Sequence, residues 1–388
     1  MATPKLRFKE FHEDWPKTSF QNLFIFKNGI NASKEQYGSG TKFINVLDII
    51  NNPNGITYDS IIGSVQVSQK DIDKNLVNYG DVVFQRSSET REEVGQSNVY
   101  LSKEPVVFGG FVIRGSAQVP YDPLFMNGLL KTDKVRDQIT QLSGGSTRFN
   151  IGQDSLNKVS IFLPSKEEQT KIATFLSVVD EKISQLSQKL HLLSQYKQGM
   201  MQKLFSQQIR FKADDGSEFG EWKQSLLGQH CQITTGKLDA NAMKEDGQYR
   251  FYTCAKDYYF IDNFAFDTEA LLISGNGAHV GYIHYYKGKF NAYQRTYVLD
   301  NWKHNIQYVK YFMEKYLKAR IYGEKKEGNT PYIVLATLSE MPFQAPCLEE
   351  QTKIANFLSA IDQKIDVVSG QLEQAKLWKK GLLQQMFV

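Results

Sequence analysis

Two stretches of the chain carry apolar residues in steps of four and three. The first runs through Ile172, Leu176, Val179, Ile183, Leu186, Leu190 and Leu193 to Met200 and Leu204. The second runs through Ile354, Leu358, Ile361, Ile365, Val368, Leu372 and Ala375 to Leu382 and Met386. Such spacing puts every one of these side chains on a single helical stripe, the seam of a coiled coil. One seam position is a lysine in both copies, Lys197 and Lys379; a polar residue there fixes the register. No proline interrupts either stretch, and Pro164 and Pro346 stand just before them, where a helix starts. About 39 residues at 1.5 Å each make a strut of roughly 58 Å.

Before each strut the pattern changes to short apolar runs separated by turn residues. Gly80 to Phe84 reads as a strand entering a polar loop, Gln85 to Gln96, and Val106 to Ile113 as a further strand. Residues 126–142 read as a helix, followed by Gly144 to Arg148. The same order returns later. Ala270 to Ile273 is a strand entering Ser274-Gly275-Asn276-Gly277, Tyr297 to Leu299 is another, and residues 307–321 form a helix with Lys310, Lys315, Lys318 and Arg320. The loop Glu327 to Thr330 follows.

This recurrence is an internal repeat. EEQTKIATFLS at 167–177 returns as EEQTKIANFLS at 349–359, an offset of 182, and the match continues ungapped. Asp180, Lys182, Ile183, Lys197, Gly199, Gln202 and Phe205 recur as Asp362, Lys364, Ile365, Lys379, Gly381, Gln384 and Phe387. Upstream the repeat loosens. Arg7-Phe8-Lys9 returns as Arg210-Phe211-Lys212, and Trp15 precedes Gly29 by the 14 residues that separate Trp222 from Gly236. Thr147, Leu156 and Pro164 have counterparts in Thr330, Leu338 and Pro346. The tryptophans suit core anchors, and the glycines suit turns. The predicted organisation is a domain at 1–164, a spacer helix at 165–206, a second domain at 207–346 and a second spacer helix at 347–388. The fold class is two α/β (α+β) domains joined by two long antiparallel coiled-coil helices, with an internal pseudo-two-fold axis. Nearly identical struts with diverged domains imply a fixed scaffold whose two domains read different things.

Composition narrows the function. Residues 1–165 hold 18 basic and 17 acidic groups, and residues 207–348 hold 17 and 16, so binding to a polyanion depends on how charge is clustered. Three scattered cysteines, Cys231, Cys254 and Cys347, suit neither a disulfide framework nor a metal site and fit a reducing cytosol. The sequence contains no apolar run approaching a membrane span and no secretory signal, so a cytoplasmic location without membrane contact is expected.

PKLRFKEFHEDW at 4–15, GDVVFQRS at 80–87 and the doubled EEQTKIAxFLS helix resemble, along essentially the whole chain, the specificity subunits of type I restriction–modification systems. The resemblance implies target-recognition domains that each read half of a split site in double-stranded DNA. It implies spacer helices that dock two methyltransferase (modification) subunits, with restriction/translocase subunits joining the complex. It also implies no cofactor in this chain: S-adenosylmethionine, ATP and Mg are expected on the partners.

Catalytic signatures are missing. The sequence has no Asn/Asp-Pro-Pro-aromatic tetrapeptide and no Walker lysine motif, and Ser274 to Gly277 lacks the spacing of a nucleotide-binding fingerprint. Glu89, Glu92 and Glu93 beside Arg91 suit a solvated loop, and His279 and His284 have no nearby cysteine to complete a metal site. The reading is therefore a non-catalytic DNA-binding subunit. Two alternatives are a fused methyltransferase or nuclease with a diverged active site, and a coiled-coil assembly protein that binds no DNA. Residues able to reach base edges are Arg86, Ser87, Ser88, Arg91 and Arg148 in the first domain. In the second they are Asn276, His279, Gln294, Arg295, Asn329 and Tyr332; Lys318 and Arg320 are further DNA-binding candidates, and the lysines of 310–326 suit phosphates.

Overall fold

A computed structural model describes residues 2–324 and 331–388. By packing, the chain divides into two compact units: Met1–Leu186 with Gln371–Val388, and Ser187–Gly370. The long helices Lys166–Phe205 and Leu348–Met386 contribute to both.

In the first unit, an antiparallel sheet orders its strands Phe24–Asn28, Val112–Ala117, Val82–Gln85, Ser97–Val99. A second sheet pairs Tyr37–Ile44 antiparallel with Ser64–Val65 and parallel with Val107–Phe108. In the second unit one six-stranded sheet takes the order Gln232–Thr235, Thr296–Asp300, Phe266–Ser274, Ile283–Ala292, Tyr249–Tyr252, Tyr259–Ile261. Its one parallel pair joins Tyr249–Tyr252 to Ile283–Ala292. Both units also have a short antiparallel ribbon leading to the long helix, Lys17–Ser19 with Ser160–Phe162 and Lys223–Leu226 with Pro342–Ala345.

Two expected elements are broken. Val106 to Ile113 is not one strand: Val107–Phe108 and Val112–Ala117 lie in different sheets, joined by the turn Gly109–Val112. Residues 126–142 form two helices, Pro123–Leu129 and Asp133–Leu142. Apolar periodicity could find neither break, because buried residues flank both.

Each core is closed by the beginning of one long helix and the end of the other. In the first unit Ile172, Leu176 and Val179 join Leu382, Met386 and Phe387 around Trp15, Phe20, Phe84 and Phe125. In the second, Ile354, Leu358 and Ile361 join Met201, Leu204 and Phe205 around Trp222, Tyr308, Phe312 and Phe343. Within each unit the helices therefore run antiparallel. Of the seam residues, Ile172, Leu176, Val179, Leu186, Ile354, Leu358, Ile361, Val368 and Leu372 are buried. Ile183, Leu190 and Ile365 are half-buried.

Candidate nucleic-acid interface

The repeated EEQT segment is what fastens each domain to its helix. Glu168 is buried and accepts both prongs of the Arg7 guanidinium at 2.7 and 2.8 Å. Glu350 accepts Arg210 at 3.1 and 2.7 Å. Planar bidentate pairing of this kind satisfies a buried carboxylate and fixes its angle. The same bond raises the pKa of each arginine above the ordinary value, against the opposing effect of burial. The next residue makes a second clamp. Gln169 donates to the Pro164 carbonyl at 2.9 Å and accepts from the Asp122 amide at 2.9 Å. Gln351 donates to the Pro346 carbonyl at 2.8 Å and accepts from the Asn305 amide at 3.0 Å. Asp122 and Asn305 in turn cap the helices beginning at Pro123 and Ile306. Behind the clamp, Trp15 meets Phe125 edge-on at 5.9 Å, and Trp222 meets Tyr308 at 6.1 Å.

The seam lysines also have partners. Lys197 pairs with Asp362 at 2.7 Å, and Lys379 pairs with Asp180. Because the helices are antiparallel, one repeated Lys and one repeated Asp make two equivalent ion pairs. Nearby Lys131 has its pKa lowered to about 8, chiefly by burial and then by the charge of Lys379, with Asp180 opposing.

Away from the helices, one junction of three segments is built twice. In the first unit the Gly109 carbonyl accepts from the Val112 amide at 2.8 Å, closing a turn. The turn is held by bonds from Arg86 N–H to the Phe111 carbonyl at 2.8 Å and from Gly109 N–H to the Ile44 carbonyl at 3.0 Å. Ile151 N–H donates to the Arg86 carbonyl at 2.9 Å. In the second unit Thr296 N–H to Tyr293 at 2.8 Å closes the turn. Gly275 to Arg295 at 2.9 Å, Tyr293 to Tyr252 at 2.8 Å and Ile333 to Gly275 at 2.8 Å repeat the frame bond for bond. Gly29 and Gly236 lie under these turns. A Cβ on Gly29 would strike the Phe108 and Gly109 carbonyls, and one on Gly236 the Ala292 and Tyr293 carbonyls. Close backbone approach, rather than a left-handed turn conformation, is thus what demands glycine here.

Several predicted residues gather at this junction. Arg86 is exposed and donates to the Gly110 carbonyl at 3.3 Å. Arg148 lies over the exposed Phe111 ring at 5.8 Å. Gln294 and Arg295 are both exposed at the second turn, and Gln294 donates to Asp239 at 2.7 Å. Asn276 follows Gly275, and Tyr332, 60% exposed, precedes Ile333. His279 is half-buried in the hairpin between Ser274 and Tyr282.

Others are placed differently. Ser87 and Ser88 form a short strand against Phe149–Asn150. Ser87 is half-buried, while Ser88 is buried and donates to Glu93 at 2.8 Å, which turns its hydroxyl away from solvent. Arg91 donates to the Thr140 carbonyl at 3.2 Å. Arg320 pairs with Glu324 at 2.6 Å, and Lys318 is exposed beside Tyr322. Lys310 pairs with Glu314 at 2.5 Å and Lys315 with Gln202, so these two face the long helix. Lys325, Lys326 and Asn329 lie outside the described residues. Burial lowers the pKa of His284 below the ordinary value, against its hydrogen bond to the Ala255 carbonyl and the charge of Asp257.

Sequence reasoning missed Phe111, read as strand, and Asp239, whose role depends on a residue 55 positions away. It also missed Arg250, stacked over Tyr258 at 4.1 Å and Tyr286 at 4.6 Å near the sheet edge. Aromatic density between 249 and 264 was the available signal. Among the described residues, no helix is long and apolar enough to cross a membrane.

Residues 12–194 and 220–377 match the type I restriction modification DNA specificity domain. The chain is 38% identical over 154 residues to the type I restriction enzyme EcoDI specificity subunit of Escherichia coli, a match spanning 40% of this chain and 34% of that one. It is 25% identical over 407 residues to a Methanocaldococcus jannaschii protein provisionally designated the MjaX type I specificity subunit, covering 98% and 94%. The crystal structure of a type I system S subunit from M. genitalium has the same fold, with a TM-score of 0.65 at 20% identity over 100% of this chain and 99% of the other.

Proposed function

The chain belongs to the type I restriction–modification DNA specificity family, and from that premise we propose that each unit reads one half of a bipartite site in double-stranded DNA through its three-segment junction. The carrying observation is the duplicated frame: the same backbone bonds hold Arg86 and Phe111 in one unit and Gly275 and Arg295 in the other, with Arg148 over the Phe111 ring and Asn276 and Tyr332 next to the bonded Gly275 and Ile333. Backbone bonds fix the position of the turn while its side chains vary freely, which is what a module with exchangeable base contacts requires. The recognition segments are 1–164 and 207–346, and the helices 165–206 and 347–388 are the spacer. Two methyltransferase subunits dock on that spacer and restriction subunits join them. Methyl transfer and cleavage belong to those partners, which bind S-adenosylmethionine, ATP and Mg, and the assembly works in the cytoplasm.

Replacing residues 207–346 with the segment of a relative tests this. Methylome sequencing of cells carrying the chimera should show one half-site changed and the other kept; a change in both halves refutes separable reading. Methyl transfer by the purified chain alone would favour the enzyme alternative.

A further inference from the structure

The two junctions share their backbone bonds but not the tip of their turn. Position for position, Gly110-Phe111 in the first unit corresponds to Gln294-Arg295 in the second. Neither Phe111 nor Arg295 supports the frame with its side chain; both are held through their carbonyls. The Phe111 carbonyl accepts from Arg86 N–H, and the Arg295 carbonyl accepts from Gly275 N–H at 2.9 Å and from the Cys254 thiol at 3.4 Å. Among the described residues the Arg295 guanidinium makes no hydrogen bond or ion pair, and the Phe111 ring is 62% exposed. The contact of the Phe111 ring is with the Arg148 guanidinium at 5.8 Å, which is itself exposed, so the ring is presented to solvent and not packed into a core.

The residues beside each tip differ in the matching sense. In the first unit Asn31 fills the space where a side chain on Gly110 would stand. In the second, Asp239 takes the Gln294 amide at 2.7 Å and orients it. One tip thus offers an apolar ring and the other a planar fork of donors beside a positioned amide.

We propose that this tip selects a base in each half-site. Arg295 reads a guanine through O6 and N7 in the major groove, and Phe111 packs on a thymine methyl at the corresponding place in the other half-site. The proposal rests on the DNA-reading function above and adds the base class and the residue to it. Arginine matches the two acceptors of guanine, whereas an apolar ring offers no donor to any base edge and gains only from the one methyl in the groove.

The test uses the full chain with its methyltransferase partner. Methylome sequencing of the wild type first gives both half-sites; absence of a two-part site would sink the DNA-reading function itself. R295A, R295Q and F111A are then sequenced in the same way. R295A should relax one guanine in one half-site, losing roughly ten- to hundred-fold of its preference there, and leave the other half unchanged. R295Q should move that position towards adenine, which glutamine reads. F111A should relax one thymine in the opposite half. A bipartite site whose guanine and thymine requirements are unmoved overturns the base assignment while leaving the function standing. If a variant abolishes methylation, competition binding of the reconstituted complex to duplexes with single base changes decides. Selective loss of discrimination at the one base supports the assignment, and equal weakening on every duplex marks a phosphate contact and overturns it.

Discussion

In the first unit the fastening of domain to helix and the presentation of the turn are both apolar-rich. Arg7 is nearly buried over Glu168 and the turn displays Phe111, while the edge-on contact of Phe8 with Phe175 at 5.9 Å has its counterpart in Phe211 and Phe357 at 5.7 Å. In the second unit the same positions are wetter. Arg210 is 28% exposed over Glu350, the turn displays Gln294 and Arg295, and a histidine pair joins the clamp. His304 contacts His230 at 3.0 Å and the Gln351 amide at 2.8 Å, whereas the clamp of the first unit joins Gln169 to Asp122 and Pro164. One scaffold therefore tolerates two environments, provided the backbone bonds and the Arg–Glu and Gln clamps are kept. Side chains that those bonds do not use are free to differ.

The largest effect should come from the clamps. Arg7→Ala strands a buried carboxylate and should cost about 3 kcal/mol or more. Arg210→Ala, with its arginine partly in water, should cost less, and urea unfolding of the two variants measures the gap. Equal losses would show that exposure does not set the strength of these pairs. Next come the glycines under the turns. Gly29→Ala and Gly236→Ala each push a Cβ into backbone carbonyls, and overpacking of this kind costs about 1–3 kcal/mol. Each should blur discrimination in its own half-site only, which methylome sequencing reports; blurring of both halves would couple the junctions.

Acid should distinguish the units more gently. The pKa values of His230 and His304 are lowered from 6.5, both chiefly by burial, with Lys303 adding to the first and His230 and Lys303 to the second, while Gln351 opposes. Unfolded imidazoles then take up protons at a higher pH than folded ones. Their contribution to stability is complete above about pH 6.5 and falls as pH drops below it towards the folded values. Hydrogen exchange, corrected for intrinsic rate, should show the second unit loosening more than the first between about pH 7.5 and about pH 5.5; His284, also lowered by burial, adds to it, and His304→Gln should reduce the difference without abolishing it. The smallest change is expected from the seam. Lys379→Met trades a quarter-exposed ion pair with Asp180 for an apolar contact and should shift stability by about 1 kcal/mol or less. A larger loss, seen in thermal unfolding, would show that the pair holds the register.

The sequence by itself determined the repeat, the two long helices and their seams, the order of segments and the tryptophan anchors. Each of these is written in local periodicity or in self-similarity at a fixed offset, and needs no knowledge of what lies across space. It also offered Arg86, Arg148 and Arg295 as candidates, by residue type alone. Tertiary structure decided the rest. EEQT is legible as a repeat but not as a clamp, because Arg7 and Glu168 are 161 residues apart in the chain. Lys197 and Lys379 are legible as polar seam positions, yet their partners Asp362 and Asp180 follow only from antiparallel packing within each unit. Val106 to Ile113 has the composition of one strand because every residue in it but Phe111 is buried. The bend that exposes Phe111 arises from bonds to Ile44 and Arg86, which lie elsewhere in the chain. Burial patterns report how apolar a segment must be; only the partners of its backbone hydrogen bonds decide where it turns and which side chain it presents.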